Sequence, residues 1–321
     1  FITLDNGDPH TRVDVAIIGE GYTSEEEQKF RDDLNRVTEA FFEIEPYQTL
    51  RDKFNFRGVF KPSSDSGIDE PRAGIDKQTV LGASFNTMGS ERYVLTEDNK
   101  SLRDLAGHVP YDALVIMVNH SRYGGGGIYN FYCVFTSDNI NSNYLLLHEF
   151  GHSFAGLADE YYTSSTAYTD FYTPGYEPNE PNITALTDPD HIKWKHLLSP
   201  GITIPTPWGK ALYDSLDLEW QAKRARMNDH IAHLQKKGAP AEEIAAAKEH
   251  YNLESTQRDR EIRNFLENSE FTGKVGAFEG AGYLSTGMYR PSVNCIMFTR
   301  ADYFCPVCRE AIANVIHLYT E

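Results

Sequence analysis

The spacing of apolar residues changes period several times along the chain, and each change predicts an element. Residues 13–19 (VDVAIIG) form an apolar run closed by a glycine, the mark of a buried strand. Thr23 and Ser24 then precede Glu25, Glu26 and Glu27. A hydroxyl that caps free amides, ahead of acids that suit the helix dipole, predicts a helix start. Behind it Phe30, Leu34, Val37, Phe41 and Phe42 recur at helical spacing, and residues 54–60 (FNFRGVF) read as the next strand. Strand, helix, strand predicts a mostly parallel sheet. Residues 111–119 (YDALVIMVN) read as the clearest central strand. Four glycines at 124–127 follow, and a glycine run beside a strand serves either close backbone approach or a flexible turn. A strand-like run at 128–136 and a helix over 143–155 come next.

The pattern weakens after residue 160. Residues 161–210, rich in Tyr, Thr, Pro and Gly, predict irregular structure. From about 212 to 266 the composition turns to Glu, Lys, Arg, Ala and Gln, broken once at Gly238-Ala239-Pro240. That is a hairpin of two long charged helices, with Pro240 near the start of the second. It carries no chemistry of its own and reads as an insertion. The acids of residues 63–71 (SSDSGIDEP) lack EF-hand spacing, so a plain turn is expected there rather than a calcium loop. The predicted fold class is α/β. Residues 1–160 would hold a twisted mixed sheet and two helices. Residues 161–321 would form a less regular part, with the helical insertion at 212–268. Substrate is expected in a cleft between them, adding a strand along 127–135.

Charge and composition exclude some partners. Forty-seven acids against thirty bases leave a net charge of −17, which argues against nucleic acid and anionic membranes because their phosphates would be repelled. No window reaches the ~18 unbroken apolar residues of a membrane span. The first residues lack a signal peptide and an initiator Met, so a removed leader and a secreted, periplasmic or cell-surface location are expected. Four cysteines are too few for a disulfide scaffold. Cys295, Cys305 and Cys308 cluster near the end. No second Cys or His pair at zinc-binding spacing accompanies Cys305-x-x-Cys308, so a structural disulfide or buried thiols are expected.

The chemistry concentrates in residues 144–161, YLLLHEFGHSFAGLADEY. His148 and His152, four apart, project from one face of a helix and are spaced to share a zinc ion at ~2.0–2.1 Å. Glu149 stands beside them as general base for an activated water. A catalytic zinc needs a third protein ligand and an open position. Gly156 is placed to end the helix in a left-handed turn and swing the chain back. Asp159, three residues on, is the favoured ligand, and Glu160 is the alternative, or a partner that orients a histidine.

HEFGHSFAGLADEY resembles the zinc signature of the IgA-specific metallopeptidase family, which is metzincin-like. Residues 13–23 (VDVAIIGEGYT), the stretch at 276–298 (GAFEGAGY…YRPSVNCIMF) and FCPVC at 304–308 fit the same family. The resemblance covers most of the chain except the helical hairpin. It implies a metzincin-like zincin fold and a secreted zinc endopeptidase acting on polypeptides, with immunoglobulin and other extracellular glycoproteins as the substrate class. It also implies that Met297 sits in a tight turn flooring the zinc site, and that Tyr289 hydrogen-bonds the developing oxyanion. The spacing departs from the usual metzincin pattern, in which Gly lies three residues after the second His and a third His follows. Here Gly lies four after, and an Asp follows. Two other readings are an amidase-type zinc hydrolase and a non-catalytic binding module with a vestigial site.

Overall fold

A computed structural model describes residues 1–163, 171–173 and 175–321; residues 164–170 and 174, part of the stretch expected to be irregular, lie outside the described residues. The apolar runs pair into one six-stranded sheet. In chain order its members are β1 (Ile2–Leu4), β2 (Val13–Glu20), then, after helix α1 (Glu27–Phe41), β3 (Phe54–Val59). Helix α2 (Asn99–Ala106), β4 (Ala113–Val118), β5 (Gly125–Ile128), β6 (Tyr132–Thr136) and helix α3 (Ser142–Ala155) follow. The strand order is β1-β3-β2-β4-β6-β5. The four inner strands run parallel, and β1 and β5 close the edges antiparallel. Parallel strands covered on both faces read as near-continuous apolar runs, which is why β2 and β4 were legible.

The 3-10 turn Ser24–Glu26 that leads into α1 follows the predicted chemistry. Thr23 and Glu26 form a capping box, with the Thr23 amide donating to Glu26 Oε2 at 2.9 Å. Phe30, Leu34, Val37 and Phe41 are the buried face of α1. One expectation needs correction. The run at 128–136 is not a single strand but the hairpin β5–β6, turning at Asn130, whose φ is +54°. Strand β6 is paired on both sides, by β4 and β5, so an incoming strand has no ladder to join along 132–135. The sheet edge on that side is β5.

The chain divides into two compact units. The first comprises Phe1–Pro71, Ile75–Gly156 and Arg309–Glu321; the second comprises Arg72–Gly74 and Leu157–Cys308. The break therefore falls at Gly156, and residues 309–321, expected with the C-terminal part, belong to the first unit. The second unit holds α4 (Lys210–Lys236), α5 (Ala241–Glu267), the antiparallel pair β7 (Phe278–Ala281) and β8 (Leu284–Arg290), and the start of α6 (Pro306–Thr320). The two charged helices form the expected hairpin, tied by a buried ion pair between Arg258 and Asp217 at 2.8 Å. Arg300 reaches back from the loop after Met297 to Asp259 of α5 at 2.7 Å.

Within the first unit the acids of 63–71 serve the backbone. Asp65 accepts from the Gln78 amide and Asp69 from the Lys77 amide. Glu70 is buried against His120 at 3.2 Å and Arg122 at 2.9 Å. Burial raises its pKa, but the His120 hydrogen bond and the Arg122 charge outweigh burial and hold it at about 2, against an ordinary 4.5. The folded value lies below the unfolded one. The stabilisation is therefore complete above the unfolded pKa and is lost as pH falls through the folded one. At ~1.4 kcal/mol per pH unit the ceiling is about 3 kcal/mol. Denaturant melts of the wild type and Glu70→Gln should differ most near neutral pH and converge between about pH 5 and pH 2. A difference that does not shrink on acidification would refute the pairing.

Candidate metal centre

Helix α3 is apolar on most of its surface because it is packed on both sides; Leu145, Leu146, Leu147, Phe150 and Phe154 are all buried. His148 and His152 share one face, with their Nε2 atoms 3.2 Å apart. The Tyr144 hydroxyl lies 3.3 Å from His148 Nδ1, one helical turn earlier. A partner at one ring nitrogen is the usual arrangement at metal-binding histidines, where it fixes the ring for the other nitrogen.

Gly156 ends the helix in the left-handed region, φ +61°, with its amide bonded to His152 O at 3.1 Å. A side chain there would be strained, so glycine at this position lets the chain reverse at once. The next residues are then clamped. The Asn182 side chain takes both backbone groups of Ala158, accepting from its amide at 2.8 Å and donating to its carbonyl at 2.9 Å. The Gly282 amide donates to Asp159 O at 2.9 Å, and the Tyr283 hydroxyl donates to Asp159 Oδ2. As a result one ligand atom each from His148, His152 and Asp159 lies within 4.8 Å of the others. The Glu160 side chain turns instead to Asn182 and Cys308. Two imidazoles and one carboxylate are the donor set of a catalytic zinc, and three protein ligands leave a position open.

Glu149 is carried by the same helix, beside the glycine run. A Cβ added to Gly125 would lie 2.9 Å from Glu149 Oε1. One added to Gly127 would lie 2.5 Å from the Glu149 carbonyl and 2.8 Å from His152 Cβ. Gly125 and Gly127 therefore serve the contact between β5 and α3, bringing the sheet edge against Glu149, while Gly124 and Gly126 pack against Phe85, Val94 and Leu95.

Met297 is fully buried in a tight turn, where the Phe298 and Thr299 amides both donate to Cys295 O, at 2.9 and 3.0 Å. Its carbonyl accepts from the Glu160 amide at 2.8 Å, so the turn grips the residue next to Asp159. Tyr289 lies in β8 opposite Glu279, its backbone doubly bonded to Thr184. Burial, with a smaller effect from Glu279, raises its phenol pKa. The tyrosine on Asp159 is a different one, Tyr283, at the β7–β8 turn. Sequence reasoning missed Tyr144, Asn182 and Tyr283. Tyr144 carried a signal, its spacing of four from His148. Asn182 and Tyr283 carried none, because they arrive from distant segments. A family model described as IgA Peptidase M64 matches residues 2–316 of the chain. No curated protein matches it.

Proposed function

Because the chain belongs to the IgA peptidase M64 family, we propose that it is a zinc-dependent endopeptidase that cleaves extracellular proteins, host immunoglobulin or glycoproteins among them. The observation that carries this reading is the convergence of His148, His152 and Asp159 with Glu149 on the same helix. These three residues would hold the metal, which when bound polarises a scissile carbonyl and acidifies a water. Glu149 takes the water proton on its carboxylate and later delivers it to the leaving amine. Tyr283 and Asn182 hold the Asp159 segment in place, and Tyr144 orients His148. Met297 packs as the floor of the site. Tyr289 donates its phenolic hydrogen to the developing oxyanion.

Strand β5 supports an endopeptidase over an amidase for small molecules. It ends the sheet, and an extended polypeptide would lie along it by main-chain hydrogen bonds. Gly125 already exchanges bonds with Arg92 and Val94, so the free length is toward Ile128. No helix among the described residues is long and apolar enough to cross a membrane; a secreted, periplasmic or cell-surface location is part of this reading. Digestion of a broad peptide library by the zinc-loaded chain should yield internal cuts that a chelator suppresses. Release of terminal residues or small amides alone would exclude the endopeptidase reading.

A further inference from the structure

Sequence spacing left Cys305-x-x-Cys308 without companions. The fold supplies them within the second unit. Cys295 comes from the tight turn ahead of Met297, Cys305 and Cys308 from the start of α6, and Glu160 from the segment after Gly156. All four side chains are fully buried, and one ligand atom from each lies within 4.8 Å of the others. The cysteines are free thiols. Cys295 Sγ and Cys308 Sγ are 3.7 Å apart, and Cys308 Sγ is 3.4 Å from Glu160 Oε1.

These separations have a natural reading. A tetrahedral zinc with Zn–S arms of about 2.3 Å has S···S edges of about 3.8 Å, and with a Zn–O arm of about 2.0–2.2 Å its S···O edges are about 3.5 Å. Two backbone amides already point at sulfur, Cys305 N to Cys295 Sγ at 3.3 Å and Cys308 N to Cys305 Sγ at 3.5 Å. Glu160 Oε2 is buried with no hydrogen-bond partner, which is costly for a carboxylate unless something positive meets it. Arg290, also fully buried, supplies part of the balancing charge by its electrostatic attraction to Glu160. A disulfide would satisfy two of the three sulfurs and leave the third and the carboxylate oxygen as they are.

The geometry points to a second, structural zinc site, in which Cys295, Cys305, Cys308 and Glu160 enclose one ion with no position left open. Three soft sulfurs exclude magnesium and calcium, and the carboxylate with four-coordinate closure selects zinc over copper(I). Binding takes up the ion as three thiols release their protons to solvent. The ion staples together the Asp159–Glu160 segment, the Met297 turn and the start of α6. Nothing in this site binds substrate.

The test is metal counting with a spectroscopic arm, on the full chain purified under reducing conditions. The wild type should hold about two zinc ions per chain and His152→Ala about one. After exchange with cobalt(II), His152→Ala should keep the near-ultraviolet band of thiolate-to-cobalt charge transfer, which a site of two histidines and an aspartate does not produce. Cys305→Ser should lose that band. If Cys305→Ser does not fold, the His152→Ala chain decides alone, since its band has no other source among these ligands. Absence of the band there, a zinc count of one in the wild type and none in His152→Ala, or a disulfide found among the three cysteines in unreduced protein overturns the proposal.

Discussion

Glu149→Gln should abolish measurable peptide hydrolysis while leaving the metal content and the fold unchanged. The substitution keeps the size of the side chain and its fit beside Gly125, but an amide does not accept the proton of the attacking water. General acid–base groups contribute roughly 10²- to 10⁴-fold, so kcat should fall by about that much with KM little changed. Metal analysis should match the wild type, because the converging ligand atoms belong to His148, His152 and Asp159. Full activity in the variant would remove Glu149 from the mechanism. Loss of activity together with loss of metal would recast it as a residue that supports the ligands.

His152→Ala should lose one metal ion per chain and all hydrolysis with it. The imidazole contributes one of three converging donors, and two donors do not hold a catalytic zinc against water. The ring also contacts His148, with centroids 4.7 Å apart, so its removal takes away one of the groups packed against the remaining histidine. Because the site binds only in the folded chain, the wild type should gain stability with added zinc, about 2.7 kcal/mol at a hundredfold excess over Kd. The variant should gain less, by the contribution of this one site. An unchanged metal count in His152→Ala would sink the ligand assignment. The two variants separate base from ligand, since only the second changes the metal.

How much of this was legible in the sequence depended on distance along the chain. The helix with His148, Glu149 and His152 was legible because side chains four apart on a helix must share a face. The same locality made α1 readable from its hydroxyl-and-acid start, and the charged hairpin from its composition. Gly156 could be assigned a left-handed helix end because few residues tolerate that conformation, and its φ of +61° is what the reading required. The short β1, helix α2 and the pair β7–β8 were not foreseen. Three or four residues, or a strand with exposed polar positions such as Ser285 and Thr286, carry too little periodicity to stand out.

The glycines at 124–127 show the limit from the other side. Their composition announced a special backbone need but not which one. Only the packing of β5 against α3, where a methyl on Gly127 would meet the Glu149 carbonyl, says that the need is close approach to the helix bearing the base.

For the proposed metal centre, the sequence by itself determined that His148, Glu149 and His152 share one helix and where that helix ends, because both follow from local helix geometry. Tertiary structure decided what lies further off. It turned the Glu160 side chain to Asn182 and Cys308, brought Tyr283 and Asn182 to hold the Asp159 segment, and gathered Cys295, Cys305 and Cys308 around the Glu160 carboxylate. The physical reason is that chain geometry constrains neighbours within a few residues, whereas contacts between segments from 13 to 148 residues apart depend on how the intervening chain packs.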